Sequence, residues 1–321
     1  MKRRALFLGI LLTGMALVSS VPAFAGSFVI NPTFTSNFTS NFGANATAAQ
    51  NAWKAAANVF TSNFSDNITV NITVDAVAGT GVFGQSNTFL QSFSYATLYS
   101  AVVADAKTAN DATAIGPGGS VTATDPTGGK GTFWVTTSQA KALGIGSFAG
   151  TDGTTTFGAG NPFTFSGPVA AGTYDFQGVA AHEISEVLGR LGIGGGTIGS
   201  TTNSYSLIDL FSYSGAGSRV LGSGGPGGEG SFSIDNGTTL LKQYNDAGNN
   251  QLDLRDWAPG TNDSFNQFSN SGVTNPVSAV DLQELDVIGY DLQSTPEPST
   301  IVLFSTGMFA AVGAARRRLK K

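Results

Sequence analysis

The sequence predicts an α+β domain in which a twisted mixed sheet leads to one buried helix and then to a loop-rich C-terminal part. Three observations carry this. Apolar residues spaced by threes and fours in residues 44–64 mark an amphipathic helix, and residues 67–77 alternate apolar and polar as a half-buried strand does. The segment "YDFQGVAAHEISEVLGR", which holds the only histidine of the 321 residues, reads as a largely apolar helix, and glycine-rich loops follow it.

From the N-terminus, residues 1–25 have a basic start, an apolar run and a small-x-small ending at Ala23-Phe24-Ala25. That is the pattern of a secretory signal cleaved after Ala25. The apolar run is short for a bilayer span, which weighs against a retained anchor. In the helix of residues 44–64, Trp53 and Phe60 face the core. The strand that follows buries Ile68, Val70, Ile72 and Val74. A second helix spans residues 95–109 with Leu98, Val102 and Val103 inward, and "GTFWVTT" is a strand that runs into a short helical start, "SQAKALG". Residues 154–157 form a further strand before the histidine helix. The echo of "FTSNF" near the start is too brief for a structural repeat.

Beyond the helix lie a glycine tract, an apolar patch at residues 207–211 and strand-like pieces at residues 232–234 and 238–241. The last helix starts at Ser278 as N-cap and buries Leu282, Leu285 and Ile288. The domain is expected to occupy residues 26–294.

The C-terminal residues 295–321 join Pro296-Glu297-Pro298 to an apolar stretch at 301–315 and a basic cluster at 316–321. This tripartite tail resembles the PEP-CTERM sorting signal of Gram-negative bacteria. The resemblance implies transient inner-membrane anchoring through a transmembrane stretch, removal of the tail by an exosortase-type processing enzyme, and a final place at the cell surface or outside the cell. A stop-transfer helix with a positive inner flank is the competing reading. Eight of the sixteen basic residues, but only one of the 21 acidic ones, lie in the two terminal segments. The part between them therefore holds 8 basic and 20 acidic residues, a net charge of −12, which argues against nucleic acid and anionic membrane surfaces as partners. There is no cysteine, so packing, with or without a bound metal, must supply the stability.

On the histidine helix, positions 182, 186 and 189 share one face and Glu183 stands one step around. Ligands at i and i+4 on consecutive turns, with a carboxylate beside them, suit a metal ion and its activated water, so His182 and Glu186 are candidate ligands and Glu183 a candidate general base. The competing reading keeps these groups as solvated or locally bonded side chains, with Arg190 pairing Glu186 at i+4. Apolar neighbours argue against solvated carboxylates here.

"HEISEVLG" resembles H-E-x-x-H-x-x-G of the metzincin and matrixin-like zinc proteases at His182, Glu183 and Gly189. It departs from them at Glu186, and at Gly192, where they have the third ligand. With "SLIDLFSYSGAGSR" and "AVDLQELDVIGYD", the chain also resembles exported PEP-CTERM-bearing bacterial proteins classed as metalloproteases with an H-E-x-x-E core. The resemblance implies a zincin-like fold and a zinc endopeptidase acting on polypeptides. With one histidine in the chain, the third ligand must be a carboxylate, a tyrosine or water. Asp209 is the candidate, in a stretch that resembles the Met-turn with Ile208 in the methionine's place, and an ordinary turn or cap role is its alternative. Tyr205 and Tyr213 rank behind it.

Such a set, His182 with two carboxylates, would cancel the +2 of Zn²⁺ and admit Mn²⁺ or Fe²⁺. Asp246, Asn249, Asn250, Asp253 and Asp256 form a loop of Ca²⁺-binding composition without EF-hand spacing, for which a polar turn is the simpler reading. Two functions stay open: an endopeptidase whose extended substrate pairs with the strand at 154–157, and a non-enzymatic surface or matrix protein with a degenerate site.

Overall fold

The computed structural model describes residues 27–222, 230–245 and 254–293. Its N-terminal half runs β1 (Val29–Phe34), α1 (Ser36–Phe42), α2 (Ala46–Thr61), β2 (Thr69–Val77), β3 (Gly84–Thr88), β4 (Leu90–Phe93), α3 (Tyr95–Asp105), α4 (Ala109–Ile115), β5 (Thr132–Thr136), α5 (Thr137–Ala142) and β6 (Gly153–Gly158). Next come β7 (Phe163–Thr164), β8 (Tyr174–Asp175) and α6 (Phe176–Val187). The rest comprises β9 (Gly196–Ile198), β10 (Thr201–Ser206), a 3₁₀ turn (Ile208–Phe211), β11 (Ser212–Gly215), β12 (Ser218–Arg219), β13 (Ser231–Phe232), β14 (Lys242–Gln243) and α7 (Ala279–Val287). It is a mixed α+β fold with several sheets and few helices.

The sheet that positions the site has the order β1-β2-β6-β3. Strands β1, β2 and β6 run parallel, and β3 closes one edge antiparallel to β6. Val70, Ile72, Val74 and Ala76 of β2 are buried as their alternation requires. Helices α2 and α6 pack on each other, and α6 also lies against β3 and β6. Trp53 of α2 is fully buried and donates from Nε1 to Thr155 Oγ1 of β6 at 3.1 Å, so the indole's one polar atom is satisfied in the core. Two further four-stranded sheets, β4-β5-β10-β9 and β12-β11-β13-β14, take in the longer strands of the loop-rich part, the first of them joined to β4 and β5 of the N-terminal half.

Several boundaries differ from the sequence reading, each for a local reason. The helix expected over 44–64 is α2, which stops at Thr61, and a separate short helix precedes it: Thr35 caps α1 through a 3.0 Å bond from Phe38 N, and Gly43 ends α1 at φ +51°. The helix expected over 95–109 ends at Asp105, and a new helix, α4, begins where Thr108 and Asp111 form a capping box. Val103 is exposed, since α3 buries the face of Leu98, Ala101 and Val102 instead. Residues 238–241 are no strand: the Asp235 carboxylate accepts from Thr239 N at 2.8 Å and folds the stretch into a turn.

The two ends of the described domain meet. Gln293 N donates to Asn63 O and Ser65 N to Asp291 O, both at 2.8 Å, around a Phe64–Leu292 bridge. Phe28, Phe64 and Tyr290 form an aromatic trio with ring centroids 5.7–6.2 Å apart. The Tyr290 hydroxyl donates to Leu188 O at 2.7 Å, just past the end of α6. Among the described residues no helix is long and apolar enough to cross a membrane. The signal at 1–25 and the tail at 295–321, with its expected transmembrane stretch, lie outside the described residues.

Candidate metal centre

Helix α6 is fixed at both ends. Asp175 caps its start, accepting from Gln177 N at 3.0 Å and from Asn275 N at 2.9 Å. At its other end Gly189 takes φ +112°, and Arg190 N bonds back to Ser185 O at 3.0 Å. That left-handed turn, cheap only for glycine, folds Arg190 back alongside the helix it has just left.

His182 and Glu186 stand one turn apart, as the spacing requires. His182 Nδ1 lies 2.9 Å from the Ser264 carbonyl oxygen, so this nitrogen carries the proton as donor and Nε2 is turned inward. Nε2 lies 3.5 Å from Glu186 Oε1 and 3.6 Å from Asp256 Oδ2. Glu186 Oε2 accepts from Ser86 Oγ of strand β3 at 2.7 Å. One donor atom from each of His182, Glu186 and Asp256 falls within 4.8 Å of the others, the one such group among the described residues. Asp256 Oδ2 is buried without a hydrogen-bond partner, while its Oδ1 is held by Arg190 Nη1. An anchored imidazole, an oriented carboxylate and an unpartnered carboxylate oxygen, all aimed at one point, fit a divalent cation.

Glu183, on the adjacent face, is buried against the edge strand. A Cβ on Gly84 would overlap Glu183 Oε1 and stand 2.8 Å from Val179 Cγ1, so only glycine at 84 leaves room for this carboxyl. Together these groups line a cleft of about 490 Å³, walled on one side by residues 81–86 and on the other by Asn266, Gln267 and Ser269.

The protein groups alone are strongly coupled. Burial pulls the His182 pKa down, but the charges of Asp256 and Glu186 outweigh it and hold the imidazole at about 9. Burial raises Glu186, yet His182, Arg190 and Ser86 bring it to about 2. Burial lifts Asp256 to about 6 against the pull of His182 and Arg190. Burial, then the neighbouring Glu186 charge, pushes Glu183 well above the usual carboxylate range. A metal ion entering here must therefore displace protons.

Asp209 does not join this group. Its Oδ2 accepts from Ile193 N, Gly194 N, Ser206 N and Ser206 Oγ at 2.8–3.1 Å, and its Oδ1 accepts from Arg255 Nε at 3.0 Å. Saturated in this way, it organises the glycine tract and has no lone pair directed at His182. Tyr205 packs on Phe133 and Tyr213 on the Arg219 guanidinium, and neither lines the cleft. Gly192, where the zinc-protease pattern has its third histidine, instead donates from its backbone N–H to Leu254 O at 3.1 Å. A Cβ there would stand 2.7 Å from that carbonyl oxygen. The third member of the cluster, Asp256, thus comes from the chain held beside Gly192. In the sequence Asp256 stands out only as part of a loop of Ca²⁺-binding composition, whose other members, Asp246, Asn249, Asn250 and Asp253, lie outside the described residues. Its one local signal is an acidic residue between Arg255 and Trp257, in a stretch otherwise fit for a core.

With this geometry in hand, comparison with known proteins bears on the tail. Residues 294–318 match the PEP-CTERM protein-sorting motif. That motif marks an exported protein, sorted to the surface or to a membrane-associated location and recognised by exosortase, a processing enzyme. No curated protein and no solved structure matches the chain.

Proposed function

We propose that the chain is an exported zinc-dependent endopeptidase with a zincin-like domain and an H-E-x-x-E helix. The observation that supports this most is the convergence of His182 Nε2, Glu186 Oε1 and Asp256 Oδ2 beside a buried Glu183 at the floor of the cleft. His182, Glu186 and Asp256 would hold the zinc ion, which would supply a Lewis acid for the peptide carbonyl and the attacking water. Glu183 takes the proton of that water and passes it to the leaving amine. Ser86 and the Ser264 carbonyl hold Glu186 and His182 in place. The strand at 154–157 cannot receive substrate, because β6 has β2 on one side and β3 on the other. Among the described residues no strand pairs with the outer edge of β3, and its residues line the cleft, so an extended polypeptide adds to β3 instead. The buried Arg190 contributes a positive charge that offsets one of the two carboxylates and keeps the loaded site electrophilic.

One observation favours the alternative, a surface protein with a degenerate site: Arg190 pairs with Asp256 and approaches Glu186 with no metal required. Metal analysis and a casein assay on the mature protein separate the two. The peptidase reading expects about one zinc per chain and cleavage abolished by a chelator. Protein that neither carries zinc nor takes it up on titration rules that reading out.

A further inference from the structure

Arg190 is fully buried, and each of its nitrogens has a defined place. Nε donates to Ser185 Oγ at 2.8 Å, Nη1 to Asp256 Oδ1, and Nη2 stands 3.8 Å from Glu186 Oε1 with no hydrogen-bond partner of its own. The Phe265 ring lies 4.6 Å from the guanidinium and shields it from water. At Asp256 arginine and metal use different oxygens, since Arg190 holds Oδ1 whereas Oδ2 faces His182; at Glu186 the guanidinium reaches the metal-facing Oε1 only at 3.8 Å, beyond hydrogen-bond distance. Two buried carboxylates this close repel each other unless a cation stays with them, and a guanidinium cannot lose its charge by deprotonation.

The geometry points to Arg190 as a permanent counter-cation that keeps the metal site assembled in the metal-free protein, so that the chain folds before it acquires its ion. The inference rests on the metal centre proposed above and adds that folding and metal loading are separable. Many small metal sites behave otherwise and fold only around the ion. For an exported protein the order matters, since the ion is then taken up outside the cell by a finished site. Gly189 and Phe265 share in the device, the first by turning Arg190 back onto the helix and the second by covering it.

Thermal unfolding of the wild type and of Arg190→Met, each in chelator and in zinc chloride, tests this. Wild type in chelator should unfold in one cooperative step. Arg190→Met in chelator should melt roughly 10 °C lower, the scale for stranding buried charges, and zinc should raise its melting temperature by more than it raises the wild type's. Equal zinc shifts in the two proteins overturn the inference alone, whereas a wild type whose melting ignores zinc removes the metal centre and the inference with it. Should Arg190→Met not fold at all, Arg190→Met/Asp256→Asn decides. With one stranded charge removed, it should fold in chelator where the single variant does not, and failure to do so overturns the counter-cation role.

Discussion

Arg255 and Asp256 are adjacent in the chain, yet each completes a different buried carboxylate–guanidinium pair. Arg255 meets Asp209, whose two oxygens together accept from five donors. Asp256 meets Arg190 with one oxygen and leaves the other, Oδ2, unpartnered and facing His182. Both aspartates are buried and both carry an arginine, so burial and pairing alone do not identify a ligand. What distinguishes them is the spare lone pair. A saturated carboxylate shapes backbone, whereas an under-satisfied one beside an imidazole has capacity left for a ligand.

The contrast can be broken most sharply at Asp256. Asp256→Asn should lower zinc affinity by more than the ~10- to 100-fold typical of outer-shell partners, as read by competition with a chromophoric chelator. Unchanged affinity would place the ligand elsewhere. Next is Glu183, a third buried carboxyl. Glu183→Gln should keep zinc and cut casein cleavage by at least ~10²; equal cleavage by a zinc-loaded variant would show that Glu183 is not the base.

Asp209→Asn should behave in the opposite way to Asp256→Asn. It leaves Arg255 facing an amide and should cost about 3–5 kcal/mol in denaturant unfolding, while the folded fraction binds zinc as the wild type does. Zinc affinity lost in proportion to that of Asp256→Asn would erase the distinction drawn above.

The smallest effect lies away from the site. Burial lifts Asp66 to about 6 and Asp105 to about 7. Their folded pKa values exceed the model-peptide value of 3.8, so the fold favours the protonated forms. That stabilisation is complete below the unfolded pKa and fades as pH rises through 6–7. The melting temperature should therefore decline by a few degrees from pH 5 to pH 8, and less steeply in Asp105→Asn. Identical slopes would exclude Asp105 as a source.

Where side chains declare their own packing, the sequence was legible. Strand β2 and helix α2 show their period in apolar residues, and His182, Glu183 and Glu186 were readable because one helix carries all three; α7 was found through its Ser278 cap, but Leu282 is only half-buried and the helix buries Asp281, Glu284 and Asp286 instead. Strand β3 was not, because "GQSNT" holds no apolar residue: it is an edge strand whose side chains serve Glu186 and the cleft rather than a core. Asp256 was hidden for a different reason. Its partners lie far away in sequence, and its meeting with His182 depends on Gly192 pairing with Leu254, a tertiary contact with no local signature. Asp209 drew attention through its Met-turn-like setting, whose sequence does not reveal how many backbone N–H groups its carboxylate collects.

The pairing of residues 63–65 with residues 291–293 has a mechanical consequence. A pull on the tail by the exosortase that recognises it would reach the domain through Gln293, bonded to Asn63, and then the Phe64–Leu292 bridge and the bond between Ser65 and Asp291. Behind them stands Tyr290, wedged between two phenylalanines and bonded to the carbonyl of Leu188. Such a pull would thus arrive at the last turn of the helix that carries His182.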